Sequence, residues 1–227
     1  MRLDNFLSKI LNISRTQASD LIRQKEIFVN NSLSLHKDQQ VSNTDEVRYR
    51  DKILEYEEYV YYLLNKPSGY VCDTSRSLYP SVFTLIKDYR QDLACAGRLD
   101  VDSVGLVLIT NDGALVHQVI ANNFITKTYY VELAKSLTDE QVQQLEAGCE
   151  IYLDKEKTIY LTKPAKVQRL TNESIYLTIS EGKFHQVKKM LKYVDNEVTL
   201  LKRVAIGNIK LPEIPLGTYL KITKPTI

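Results

Sequence analysis

The sequence predicts an α+β fold in two parts, a small N-terminal α/β module followed by a larger domain built on a mostly antiparallel sheet. Three observations lead there. The first fifty residues carry helical periodicity and then short strand-like alternations. Residues 51–58 form a polar, acidic break of the kind that separates domains. From residue 59 onward, apolar runs of strand length dominate, and helices interrupt them without the regular succession of a parallel βαβ chain.

Leu3, Phe6, Leu7, Ile10 and Leu11 recur at i, i+3, i+4, i+7 and i+8, the stripe of an amphipathic helix. Ser14-Arg15-Thr16-Gln17 has capping-box spacing and opens a second helix. That helix turns Ala18, Leu21 and Ile22 inward and leaves Arg15, Arg23 and Lys25 outside. Ile27 and Val29 alternate before Asn30-Asn31, a hairpin turn. Val47 and Tyr49 alternate in a later strand that ends near Arg50-Asp51-Lys52. Asp51 to Glu58, which includes Glu55, Glu57 and Glu58, reads as a linker and divides the chain into domains 1–50 and 59–227. Strands are expected at Val60–Leu64, Gly105–Thr110, Tyr129–Leu133, Thr158–Leu161 and Ser174–Ile179. Asn111-Asp112-Gly113 punctuates the second of these, and Ala114 to Ala121 has helical spacing. Thr138-Asp139-Glu140-Gln141 is another capping box, and Gly148 can close its helix. After Gly182, Val187, Met190, Leu191 and Val194 form the core stripe of a last helix.

A chain of 227 residues has room for one ordinary domain and a small one, and 44% hydrophobic with 26% charged residues describes a globular protein. No apolar run approaches a membrane span, and Met1-Arg2-Leu3-Asp4 starts no signal peptide. Cys72, Cys95 and Cys149 are far apart in sequence, form no CxxC pair and suit a reducing, cytoplasmic setting. With only three histidines, none near another ligand, no metal site is expected. A net charge of +2 does not announce a nucleic-acid partner, so any such argument rests on where the basic residues lie.

Ala96-Gly97-Arg98-Leu99-Asp100 is the most informative stretch. It is a glycine-containing turn that ends in an acid directly before the core strand Gly105–Thr110. Asp100 therefore stands at the mouth of a rigid element, where catalytic carboxylates are often placed, unless it forms a plain ion pair with Arg98. A hydrolase built from Ser103, His117 and Asp112 is a much weaker reading, because no nucleophile elbow surrounds Ser103.

The stretch Gly97-Arg98-Leu99-Asp100, followed by D-x-x-G-L-V-L-x-T-x-D-G, resembles the signature of the pseudouridine synthases, specifically the RsuA-type rRNA enzymes. The likeness extends to Asn65-Lys66-Pro67-Ser68-Gly69-Tyr70-Val71-Cys72, to Lys127-Thr128-Tyr129 and to Gly182-Lys183-Phe184-His185-Gln186-Val187-Lys188-Lys189-Met190, in the family's order. The start R-L-D-x-F-L and the helix S-R-T-Q-A-S-D-L-I resemble the S-four-type RNA-binding module, named after a ribosomal protein.

The resemblance implies a redox-neutral isomerisation of uridine to pseudouridine that needs no cofactor, on ribosomal RNA, most of all small-subunit 16S rRNA. The alternatives are a sister enzyme acting on 23S rRNA and a non-catalytic RNA-binding protein. It gives Asp100 the catalytic role, as nucleophile or as base, and makes Tyr129 catalytic too, its ring stacked on the uracil and its hydroxyl available for proton transfer at carbon 5. It puts a basic residue opposite the acid, for which Lys188 is chosen and Lys189 is the fallback; on the wheel Lys188 flanks the core stripe while Lys189 faces solvent or phosphate. Arg98, Arg15, Arg23, Lys25 and Lys189 are the expected RNA contacts, although Arg98 can equally pair with Asp102, which is read as structural. The expected protein is a cytoplasmic monomer that meets its rRNA in an assembling ribosomal subunit. Lys183 and Lys189 stand where the family usually has Arg, and Thr126 stands where a charged residue is common.

Overall fold

The computed structural model describes residues 1–42, 44–54, 57–74, 78–88, 90, 92–122 and 124–227. They divide into two compact units, one of residues 1–59 with 87–92 and one of residues 60–86 with 93–227. No helix among the described residues is long and apolar enough to cross a membrane.

In the first unit, α1 (Leu3–Leu11) and α2 (Arg15–Arg23) pack against an antiparallel sheet. Its strands β1 (Ile27–Val29), β2 (Ser32–Leu33), β3 (Val47–Tyr49) and β4 (Lys52–Leu54) lie in the order β2-β1-β3-β4. The α1 stripe buries Leu3, Phe6 and Leu7 against Ala18, Ile22, Ile27, Val29 and Val47. The Ser14 hydroxyl accepts from Gln17 N while the Gln17 side chain reaches back to Ser14 N, a complete capping box. Asn30 and Asn31 are both left-handed, at φ 49° and 62°, as the two-residue turn between β1 and β2 requires.

Strand β4 corrects the linker reading of residues 51–58. Arg50 is also left-handed, which folds the chain back so that Leu54 pairs with Val47 and completes the core. The acidic residues masked this two-residue apolar signal; Glu55 itself lies outside the described residues.

The second unit carries a nine-stranded sheet. In chain order its elements are β5 (Tyr61–Lys66), β6 (Ala94–Cys95), β7 (Val104–Thr110), α3 (Gly113–Ala121), β8 (Lys127–Leu133), α4 (Asp139–Ala147), β9 (Glu150–Leu153), β10 (Thr158–Leu161), β11 (Lys166–Thr171), β12 (Ser174–Ile179), α5 (Gln186–Tyr193), β13 (Val198–Ile206), β14 (Ile209–Lys210) and β15 (Tyr219–Ile222). The sheet runs β11-β12-β8-β13-β7-β5-β15, with β6 on β7 and β14 on β13, while β9 and β10 form a separate hairpin. Its pairings are antiparallel except that of β7 with β13. All seven residues of β7 are buried because both faces of the sheet are covered there. Leu106 and Leu108 join Leu115 and Val119 of α3 on one side, and Val107 and Ile109 join the core that holds Val187, Met190 and Leu191 of α5 on the other. An uninterrupted apolar run is what a doubly covered strand demands.

One row across the sheet positions everything that follows. Lys66 of β5 and Arg203 of β13 are both register partners of Gly105 of β7. Gly105 has φ 101°, and a Cβ there would lie 2.3 Å from the Arg203 carbonyl oxygen. Gly105→Ala is expected to cost at least ~3 kcal/mol, a drop of about 6–12 °C in the thermal midpoint. Gly113→Ala should change it little, since a Cβ at Gly113 meets nothing within 4 Å. Equal melting of the two variants would show that β7 and β13 do not need this close approach.

Candidate active site

The loop from Ala96 to Ser103 joins β6 to β7, and two buried cations hold its backbone. The Lys66 side chain is fully buried and donates to the carbonyls of Pro67 (3.1 Å), Val101 (3.2 Å) and Ser103 (2.7 Å). Those bonds use all three donors of the ammonium. Burial, the dominant effect, pulls that ammonium below the ordinary lysine value, while the charges of Cys72, Asp102 and Asp100 oppose it. Arg203, 2% exposed, donates through Nε to Leu106 O (2.8 Å), through Nη1 to Arg98 O (3.2 Å) and through Nη2 to Gly97 O (3.2 Å). Gly97 is left-handed at φ 87°, with room beside it for that guanidinium. The Leu99 N–H points to Cys72 Sγ at 3.5 Å, and the Leu99 side chain is buried. The cations and the buried leucine leave Asp100 at the surface of a fixed loop.

Facing this loop is the turn that starts α5. Here the structure departs from the expected pairing. Lys188 Nζ donates to both carboxylate oxygens of Asp102, at 2.7 and 2.6 Å, and not to Asp100. The residue opposite Asp100 is His185, with Nε2 3.4 Å from Oδ1. The cause is where the helix begins. His185 is the N-cap, so it stands at the end of the helix nearest Asp100, and Lys188 sits almost a turn further on. Lys188 also lines a larger groove of about 670 Å³ with Asp102, Lys135, Lys192 and Asn196. At Asp102 burial works to raise the carboxyl, but the hydrogen bond and charge of Lys188 outweigh it and set the group below the usual carboxylate value.

The remaining candidates separate. Tyr129, 8% exposed, shares a cavity of about 80 Å³ with Asp100, Arg98, Leu99, His185 and Val187. Arg98 is exposed beside it and pairs with Asp73 at 3.3 Å, which corrects the alternative pairing with Asp102. Lys189, expected toward solvent or phosphate, is instead tied to β9 and the residue after it, donating to Tyr152 O (2.7 Å) and Asp154 Oδ2 (2.6 Å). Arg15, Arg23 and Lys25 are exposed on the first unit; Arg15 bonds Asn5 Oδ1 at 3.0 Å and Arg23 pairs with Asp20 at 2.7 Å. No hydrolytic triad forms, because Ser103 and Asp112 stand beyond opposite ends of β7. There the Asp112 carboxylate caps α3 through Leu115 N and accepts from Lys224 and Tyr61.

Three residues escaped the sequence reading. His185 lay inside a quoted motif, but the core stripe was drawn from Val187, two residues past it. Lys66 and Arg203 carried a weaker signal: a cation within a strand-length apolar run has nowhere to go but a cluster of carbonyls.

Comparison with known proteins accounts for both units. Residues 60–193 match the family model described as RNA pseudouridylate synthase, and residues 1–47 match that of the S4 domain. The chain is 37% identical over 232 residues to the ribosomal small subunit pseudouridine synthase A of Haemophilus influenzae, covering 100% of this chain and 98% of that one. It is 36% identical to an uncharacterized RNA pseudouridine synthase of Bacillus subtilis, over 99% and 95% of the two chains. A crystal structure of a pseudouridylate synthase superposes with a TM-score of 0.66 at 37% identity, covering 98% of this chain and 96% of that chain.

The Lys188–Asp102 pair gives a signed pH dependence. A carboxyl held below 3.8 in the folded state adds stability above that value and loses it as the pH falls through the lower folded pKa. The Asp102 side chain is 62% exposed, so the stability difference between wild type and Lys188→Met is expected to be under ~1 kcal/mol near neutral pH. It should shrink toward zero below about pH 4 in denaturant titrations. A difference undiminished in strong acid would place the contribution of Lys188 outside this pair.

Proposed function

This chain belongs to the RNA pseudouridine synthases, and we propose that it isomerises a uridine of small-subunit ribosomal RNA with Asp100 as its catalytic carboxylate. The observation that carries the assignment is Asp100 itself, an acid on a loop immobilised by Lys66 and Arg203 and set against a cavity that Tyr129 helps to form. The full-length similarity to a ribosomal small subunit synthase supports the choice of substrate.

Isomerisation breaks the bond from ribose carbon 1 to the base nitrogen, turns the uracil and rejoins it through carbon 5, which gives up its proton while the freed nitrogen gains one. No electron is gained or lost overall. A carboxylate serves either by adding to the nucleoside or by removing a ribose proton, and both need it ionised and close to the sugar. Tyr129 supplies a ring to stack on a uracil withdrawn from the RNA, a contact of about 1–3 kcal/mol. Arg98, exposed at the rim, is placed to hold phosphate while the nucleotide is flipped. Lys188 enters the reading in a changed role, fixing Asp102 and with it the turn that follows Asp100. Arg15, Arg23 and Lys25 of the first unit provide phosphate contacts that carry no sequence information. The setting is cytoplasmic, on an assembling ribosomal subunit.

Asp100→Asn is nearly isosteric and should fold and bind rRNA, with turnover reduced by at least ~10²-fold. Pseudouridine mapping of rRNA from cells with and without the gene should show one small-subunit site disappear. A lost large-subunit site would move the substrate to 23S rRNA, and appreciable turnover by the Asn variant would remove Asp100 from the chemistry. Replacing Arg15, Arg23 and Lys25 together by Gln should lower the slope of log affinity against log salt by about 2–3. An unchanged slope would take these three side chains off the RNA.

A further inference from the structure

The turn before α5 is held in a conformation that needs explaining. His185 is the N-cap of that helix, yet its backbone is left-handed, at φ 54° and ψ 30°, and its side chain makes no capping bond. N-cap residues are ordinarily extended and use the side chain to satisfy the first free N–H groups. Non-glycine residues persist in the left-handed region where the surroundings over-determine them, and such places cluster at functional sites.

The surroundings here do over-determine it. Lys183 N donates to Gln186 Oε1 at 2.8 Å, and Gln186 Nε2 donates to Glu181 Oε1 at 2.9 Å. Glu181 is buried and also accepts from Tyr160 OH at 2.7 Å and Lys163 N at 2.9 Å. The Phe184 ring stacks on the imidazole, with centroids 3.7 Å apart and planes 23° apart, which fixes the direction in which the ring points. That direction brings Nε2 to Asp100 Oδ1.

Among the described residues, the lysines and arginines that hold or face this loop have other partners. Lys66 and Arg203 serve carbonyls, Lys188 serves Asp102, Arg98 pairs with Asp73, and Lys183 lies over the Tyr160 ring at 4.5 Å. Among the described residues the imidazole is the one basic side chain recorded within 4 Å of the Asp100 carboxylate.

We propose that His185 is the positioning residue of the catalytic carboxylate: its Nε2–H holds one oxygen of Asp100 and leaves the other for the nucleoside. The inference rests on Asp100 being the catalytic group. At 3.4 Å the two atoms approach without hydrogen-bond geometry, and catalytic contacts that are long or poorly aligned in a free enzyme tighten as substrate fills the site. The left-handed backbone is then what aims the imidazole across the gap.

The test uses the full chain and its rRNA in single-turnover assays, with the maximal rate and the RNA dissociation constant measured separately. His185→Gly removes the imidazole but suits the left-handed backbone, whereas His185→Gln strains the backbone and retains an N–H donor of similar reach. Positioning of Asp100 makes the Gln variant faster than the Gly variant. The Gly variant should fall ten- to a hundredfold in maximal rate, with RNA affinity within about twofold of wild type. A Gly variant as fast as wild type, or faster than the Gln variant, would reduce His185 to its backbone. Lost affinity at an unchanged maximal rate would make it an RNA contact. Asp100→Asn in the same assay separates the two claims: if it turns over, the catalytic assignment fails, and if it is dead while the Gly variant is fast, only the role of His185 fails.

Discussion

Two buried positive charges on either side of a glycine set the geometry of this protein. Lys66 and Arg203 lie in adjacent strands flanking Gly105, and together they bind the carbonyls of Gly97, Arg98, Val101, Ser103 and Leu106. A buried cation is costly unless its donors are satisfied, and a buried carbonyl without a donor is costly in turn. Each therefore offsets the cost of the other, and the backbone between residues 97 and 106 becomes the fixed ligand shell of two side chains. Gly105 belongs to the same arrangement, since only a residue without Cβ lets β13 approach close enough for Arg203 to reach through.

Much of the architecture was legible where local chemistry decides it. The stripe of α1, the capping boxes at Ser14 and Thr138 and the Asn30-Asn31 turn are settled by residues within a few positions of one another, and all are present. Strand β4 was not, because Ile53 and Leu54 are too short a signal beside charged neighbours. Strands β11, β13 and β15 carry polar residues on exposed or half-exposed faces, so their alternation is diluted and only their partners define them.

The candidate site divides in the same way. Asp100 and Tyr129 lie in compact motifs, and both line one cavity. The partner of Asp100 depended on the residue at which α5 starts, and each residue of displacement turns a side chain by about 100°. Hydrophobic periodicity locates a helix to within a turn, which is too coarse to choose among His185, Lys188 and Lys189. Lys188 found Asp102 and Lys189 found Asp154, so the abundant lysines of this segment serve mostly to tie it down.

The grip of Arg203 on the loop joins residues 97 to 106 positions apart in the chain. Such a contact costs closure entropy that a local contact does not, and it cannot form until the chain has reached β13. A nascent chain still short of residue 203 has made the whole Ala96–Ser103 segment but lacks the side chain that organises it. A chain cut before β13 therefore carries Asp100 without the guanidinium that holds its loop.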